Sequence, residues 1–252
     1  MNAPLFNIPI SPEKADRLIE MLDLAPSSHV LDVGCGRGEF LLRVIEATGA
    51  SGLGVDIDAG EIRRARQSAS ERVGEARCEF REANIQQEQL ADESFDLAVC
   101  LGSTHAFGMG EPAYANAIEA MTRLVKPGGQ LLIGESYWKQ TPSPEYLALI
   151  GDPVGVYRDH AANVSFVEER GLVAMYAATS SEDEWDHFEW SHRLMAERRG
   201  IAAPGDPQVA HGIQHSRRWL DGYLRWGRST MGFGFYLFTK PANGMNANPS
   251  QQ

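Results

Sequence analysis

VLDVGCGRGEF (Val30–Phe40) is an apolar run that meets an acid and then three glycines at every second position. Its first half, within HVLDVG, reads as a strand, and EFLLRVIEATG after it as a helix stopped by Gly49. Strand, glycine turn and helix in that order form the carboxyl edge at which open α/β sheets take up small molecules.

Outward from this stretch the same alternation repeats. SGLGVDID is a second strand, followed by a polar helix through about Arg72; RCEFREAN is a third strand and SFDLAVCLG a fourth. The fourth is nearly continuous in apolar residues, as strands covered on both faces are. EPAYANAIEAMTRLV places Ala113, Ala117, Met121 and Leu124 on one helix side and ends at KPGG, read as a turn before a fifth strand, QLLIGE. Such alternation predicts a parallel sheet with right-handed crossovers. Upstream, Ser11 and Pro12 open a helix running to Leu24.

After Glu135 the rhythm breaks. YWKQTPSPEYLALIGDPVG reads as a long excursion, 159–170 as a helix and LVAMYAATS as a sixth strand. SEDEWDHFEW opens a helix with a Ser181/Glu184 capping box, Asp206 and Pro207 open another, and MGFGFYLFTKP is a closing strand. Residues 1–241 are expected to form one domain with lid or substrate segments at about 136–170 and 181–228, and 242–252 a disordered tail.

The net charge of −11 argues against a nucleic-acid partner, since phosphate neutralisation supplies most of that affinity. Cys35, Cys78 and Cys100 give neither a CxxC pair nor a disulfide framework. His211 and His215 stand four apart on a predicted helix but lack a third ligand, so no metal is expected. The N-terminus lacks a signal-peptide pattern and no run is long enough to span a membrane, which leads to an expected cytoplasmic location. Nothing in the sequence addresses oligomeric state.

The glycine turn distinguishes two kinds of ligand. A dinucleotide fingerprint is G-x-G-x-x-G, whereas Gly34, Gly36 and Gly38 are evenly spaced. Asp32 before the turn and Glu39 after it would repel a pyrophosphate but attract a sulfonium and an ammonium. Asp56, ending the second strand, suits a ribose in either case.

DVGCGRG, GVDID, EANI, FDLAVCLGS and LVKPGGQLLIGE, in this order, resemble the successive motifs of class I S-adenosylmethionine-dependent methyltransferases. The resemblance covers about residues 11–140 and the closing strand. It implies a Rossmann-like, doubly wound seven-stranded α/β sheet in which only the last strand is antiparallel. It also implies S-adenosyl-L-methionine as cofactor, with Gly34, Gly36 and Gly38 near its methionine part and Asp32 supporting that turn. Asp56 would hold the ribose, Ile57 would lie against the adenine, and Asn84 and Ile85 would address the adenine edge. Leu101, Gly102 and Ser103 would floor the pocket. Asn84 stands where many relatives carry Asp, and its carbonyl can still accept from the adenine amino group.

Methyl transfer from a sulfonium is an in-line displacement, and alignment alone can supply roughly 7–11 kcal/mol. A base is needed only if the acceptor arrives protonated. His105 in GSTHAFG is the candidate base, with Tyr137 beside it as a catalytic candidate. Glu135, Trp138 and Trp185 are candidates for acceptor binding, although aromatic stripes at helical spacing also build core. No N/D-P-P-Y-type motif occupies the fourth strand end, which favours a small-molecule acceptor over nucleic acid. The rival readings are an NAD-dependent oxidoreductase and a non-catalytic adenosylmethionine-binding protein. Whether oxygen, nitrogen, sulfur or carbon is methylated is left open.

Overall fold

The computed structural model describes residues 4–74 and 76–242 and assembles the seven expected strands into one sheet of order β3-β2-β1-β4-β5-β7-β6. The strands are β1 (His29–Val33), β2 (Ser51–Asp56), β3 (Cys78–Glu82), β4 (Phe95–Leu101), β5 (Val125–Trp138), β6 (Val173–Thr179) and β7 (Met231–Thr239). β1 pairs in parallel with β2 and β4, and these with β3 and β5 in turn. β7 slots between β5 and β6 and runs against both, so it is the single antiparallel strand. The expected sheet is therefore the observed one. The expected tail falls almost wholly outside the described residues.

Both faces of the sheet are covered. Helices α1 (Pro12–Ile19), α2 (Glu39–Thr48) and α3 (Ala59–Arg72) bury Leu18, Leu41, Leu42 and Ile62 against one face. α4 (Ala113–Leu124) and α6 (His160–Glu168) bury Ile118, Met121 and Val167 against the other. This two-sided burial explains the apolar run of β4, in which Leu97 to Cys100 are all inaccessible.

Four expectations need correction. KPGG is not a free turn: Gly128 donates to the Lys240 carbonyl and Lys240 back to Gly129, so β5 takes in the whole segment. β5 also runs on through Ser136, Tyr137 and Trp138, because β7 offers a ladder as far as Met231. These residues are strand, not lid, and α6 is a sheet-covering crossover. The excursion holds a helix the sequence reading lacked, α5 (Pro144–Ile150), capped by the Ser143 hydroxyl on the Tyr146 N–H. Finally, α1 stops at Ile19, five residues short of expectation.

α7 (Glu182–Ala202) begins at the Ser181/Glu184 capping box as predicted, and α8 (Pro207–Gly222) begins at Asp206. The two pack together, tied by Arg217 on Glu197 at 2.8 Å. No helix among the described residues is long and apolar enough to cross a membrane.

Candidate active site

The three glycines of the turn after β1 have φ of +69°, +52° and +77°, a region that side chains rarely adopt. Two of them also serve close approach. A Cβ on Gly34 would lie 2.3 Å from the Ser103 side chain, and one on Gly38 2.5 Å from the Phe80 ring. The Gly34 and Cys35 N–H groups donate to the Val55 carbonyl, fastening the turn to β2.

The Asp56 carboxylate completes this fastening. Its two oxygens accept from the Gly36 N–H at 2.8 Å and the Asp58 N–H at 2.9 Å. Asp58 in turn caps α3 through Gly60 and Glu61. Asp56 stays half-buried at the carboxyl edge and Ile57 beside it is 76 % exposed. Asn84 caps a short turn through the Gln86 N–H and is exposed, while the Ile85 side chain is buried in the core. Ile85 can therefore meet a ligand only through its backbone.

Asp32 is 4 % exposed, and among the described residues no hydrogen bond reaches its carboxylate. Burial, with help from Asp56, pushes its carboxyl up to about 8. A desolvated acid beside a loop built to approach a ligand fits a cationic group. Glu39 does not share this role: Arg43 at 2.7 Å and Arg72 at 2.6 Å take its charge. The discrimination drawn from Asp32 and Glu39 thus rests on Asp32 alone, since Asp56 suits a ribose in either case. Cys35 is no nucleophile, since burial and then the Asp32 charge push its thiol far up.

The turn Leu101–Ser103 links the glycine loop to a cavity. Ser103 meets Gly34 on one side, with its hydroxyl 3.5 Å from the Gly34 carbonyl. Gly102 on the other side lines a cavity of about 250 Å³. Around that cavity stand Thr104 and His105 from the turn after β4, Tyr114 from α4, Glu135 from β5, and Asp152 and Tyr157 from the excursion. His105 is exposed at its rim. The Glu135 carboxylate accepts from the Thr104 hydroxyl and the Ser136 N–H. Burial pushes the Glu135 carboxyl up to about 7 against the opposing pull of these hydrogen bonds and of Arg158.

Three predicted site residues do not line this cavity. Tyr137 packs against His160, ring centroids 5.0 Å apart, with its ring over Gly232. Trp138 is buried between Tyr146 and Tyr157, its indole N–H donating to the Val154 carbonyl. Trp185 stacks on Tyr223 and donates to Glu189, with its edge against Phe233. Trp138 is buried and Tyr137 and Trp185 are half-buried against aromatic neighbours, so none of the three stands in the lining where an acceptor would sit. Conversely, Tyr114, Asp152 and Tyr157 were missed; the turn residues GDP before Val154 were the sole local signal that this stretch returns to the sheet edge. The N-terminal segment was missed too: Ile8 sits against Gly102, where an added Cβ would be 2.7 Å from its Cγ2.

Residues 30–129 match the family described as a methyltransferase domain. The uncharacterised protein YjhP of Escherichia coli K12 is 28 % identical over 237 residues, 90 % of this chain and 91 % of that one. Its X-ray structure superposes with a TM-score of 0.83, covering 92 % and 94 % of the two chains. A methyltransferase from Geobacter sulfurreducens, solved with S-adenosyl-L-homocysteine, is 26 % identical with a TM-score of 0.83 and 92 % coverage of each chain. The 27-O-demethylrifamycin SV methyltransferase of Amycolatopsis mediterranei is 32 % identical over 129 residues, 51 % of this chain but 45 % of that enzyme.

Proposed function

Because the chain is a class I S-adenosylmethionine-dependent methyltransferase, we propose that it methylates a small-molecule acceptor held in the cavity between β4, β5 and the excursion. The observation that carries this reading is the shared turn Leu101–Ser103, which touches the glycine loop with one residue and the cavity with the next. S-adenosylmethionine supplies an activated methyl group on a positively charged sulfur. Within this reading the Gly34–Gly38 loop and Asp32 take the methionine end, and Asp56 the ribose. Ile57, Asn84 and the Ile85 backbone take the adenine, and Leu101–Ser103 form the floor.

The cavity residues then act mainly by positioning, which suits a reaction whose leaving group is already in place. His105 at the rim and Glu135 in the wall are the groups able to hold a proton. Ile8 and the α7–α8 pair act as cover, a role we assign to 139–157 and 181–228 within one domain. A small acceptor agrees with the size of the cavity, and the net charge of −11 speaks against nucleic acid. A cytoplasmic location belongs to the same proposal.

Calorimetric titration with S-adenosylmethionine, S-adenosylhomocysteine and NAD tests the reading. Micromolar binding of the first two and none of NAD is expected; binding of NAD alone overturns it.

A further inference from the structure

Resting on the methyltransferase reading, we propose that the acceptor is a small amine and that the Glu135 carboxylate binds its ammonium and takes its proton. The charge of the cavity points this way. Glu135 and Asp152 bring two carboxylates to its wall, Tyr114, Tyr157 and Phe233 bring aromatic rings, and the described lining includes no Lys or Arg. Arg158, whose charge reaches Glu135, stays out of the lining, its guanidinium lying 4.2 Å from the Phe166 ring centroid and 5.2 Å from that of Tyr114. An anionic acceptor would meet repulsion here, whereas an ammonium finds a carboxylate and aromatic faces together.

Glu135 is also held for the task. Thr104 and the Ser136 N–H each occupy one lone pair of a different oxygen, fixing the carboxylate and leaving a second pair on each. The other titratable groups facing it are Cys100, His105, Tyr114, Asp152, Tyr157, Arg158 and Tyr236. The hydroxyls of Tyr114 and Tyr157 are spoken for, donating to the Asn163 carbonyl at 3.0 Å and to Asp152 at 2.9 Å. His105 is exposed to water at the rim. Asp152 is engaged by the Tyr157 hydroxyl, which leaves Glu135, half-buried in the wall, as the group placed to receive a proton, and desolvation gives it a carboxyl near neutrality.

The step balances. The ammonium R–NH₃⁺ gives one proton to the Glu135 carboxylate, leaving R–NH₂ and a neutral acid. The freed nitrogen pair forms the N–C bond to the methyl group as the C–S bond breaks, with that pair staying on sulfur. The product R–NH₂⁺–CH₃ leaves and Glu135 returns its proton to water. A free aliphatic hydroxyl is far too weak an acid for this base, whereas an amine with a value near 10 is brought into range by desolvation.

The test uses benzylamine, benzyl alcohol and benzoate, three probes of one shape, titrated calorimetrically into protein saturated with S-adenosylhomocysteine. Benzylamine should bind about tenfold or more tightly than either analogue, and lose affinity as pH falls below about 7. Glu135→Gln should keep S-adenosylhomocysteine binding yet reduce the amine preference to within about threefold and abolish its pH dependence. Glu135→Asp, which retains charge but withdraws it by one methylene, should lose part of the preference and serves if the Gln variant fails to fold. The inference is overturned if the amine binds no better than its analogues, does not bind wild type at about 10 mM, or keeps its preference in the variants. Wild-type protein that binds no S-adenosylhomocysteine would instead defeat the methyltransferase reading beneath it.

Discussion

The Asp32 carboxyl is pushed up to about 8 because the sheet removes it from solvent and Asp56 adds a like charge. Its native value of about 8, against 3.8 in the unfolded chain, means that the folded state binds the proton more tightly. The protein therefore loses stability from this group as pH rises from about 4 to about 8. Asp32→Asn should stabilise the cofactor-free protein at pH 8 by about 2 kcal/mol, roughly 4–8 °C by scanning calorimetry. The same variant should bind S-adenosylmethionine less well. In the wild type, affinity for that cationic ligand should rise between about pH 6 and pH 7.5, by up to about tenfold per unit, and the variant should lack this rise. A flat wild-type profile would remove Asp32 from the site. Asp56→Ala should cost about 2–3 kcal/mol of cofactor affinity, since it loses charged hydrogen bonds and unties Gly36 from Asp58; unchanged affinity in a folded variant would count against the ribose assignment.

At the scale of elements, Gly38 opens α2 in the left-handed region while the Phe80 ring from β3 lies where its side chain would be. Gly38→Ala should destabilise by about 2–4 kcal/mol, combining a strained φ with overpacking. Adding Phe80→Leu should recover the steric part alone, as urea unfolding of the single and double variants would show. The glycine turn was legible because each requirement is local: a positive φ and a close neighbour both exclude side chains. β1, β2 and β4 were legible for a similar reason, since burial on both faces leaves largely apolar runs, and β3 by its alternation of buried Cys78 and Phe80 with Glu79 and Arg81. The reach of β5 was not, because Ser136–Trp138 become strand only when β7, about a hundred residues later in the chain, supplies hydrogen-bond partners. That Tyr137, Trp138 and Trp185 stand outside the cavity lining was hidden on the same account. An aromatic side chain near a sheet edge can turn to the ligand or to the core, and neighbours distant in sequence decide which.

Across the whole molecule, Glu184 joins two regions that the chain makes far apart. It accepts from the Ser11 N–H and hydroxyl, from Lys14 and from the Ser181 N–H, so the segment bearing Ile8 is moored to the start of α7. Although burial works the other way, these donors hold its carboxyl down at about 2. The mooring is thus complete above about pH 4.5 and lost as pH falls towards 2. Glu184→Ala should lower stability by about 1–3 kcal/mol and hasten proteolysis near Ile8. It should also weaken cofactor binding, since Ile8 covers Gly102. A variant with wild-type melting and proteolysis would show that the segment is held by apolar packing alone. The capping box was readable in the sequence, but its second duty to Ser11 and Lys14 was not.

The place of β7 governs how the chain can be made. Its nine residues leave the ribosome after the other six described strands, yet they sit one position in from the sheet edge. Until they arrive, β5 and β6 each present an open ladder with nothing between them. Synthesis therefore passes through a stage in which a formed half-sheet waits with an apolar slot exposed, the state most prone to capture by another chain. Pulse-labelled nascent chains halted before Met231 should aggregate or bind chaperones, whereas chains extended beyond Lys240 should be released as folded protein.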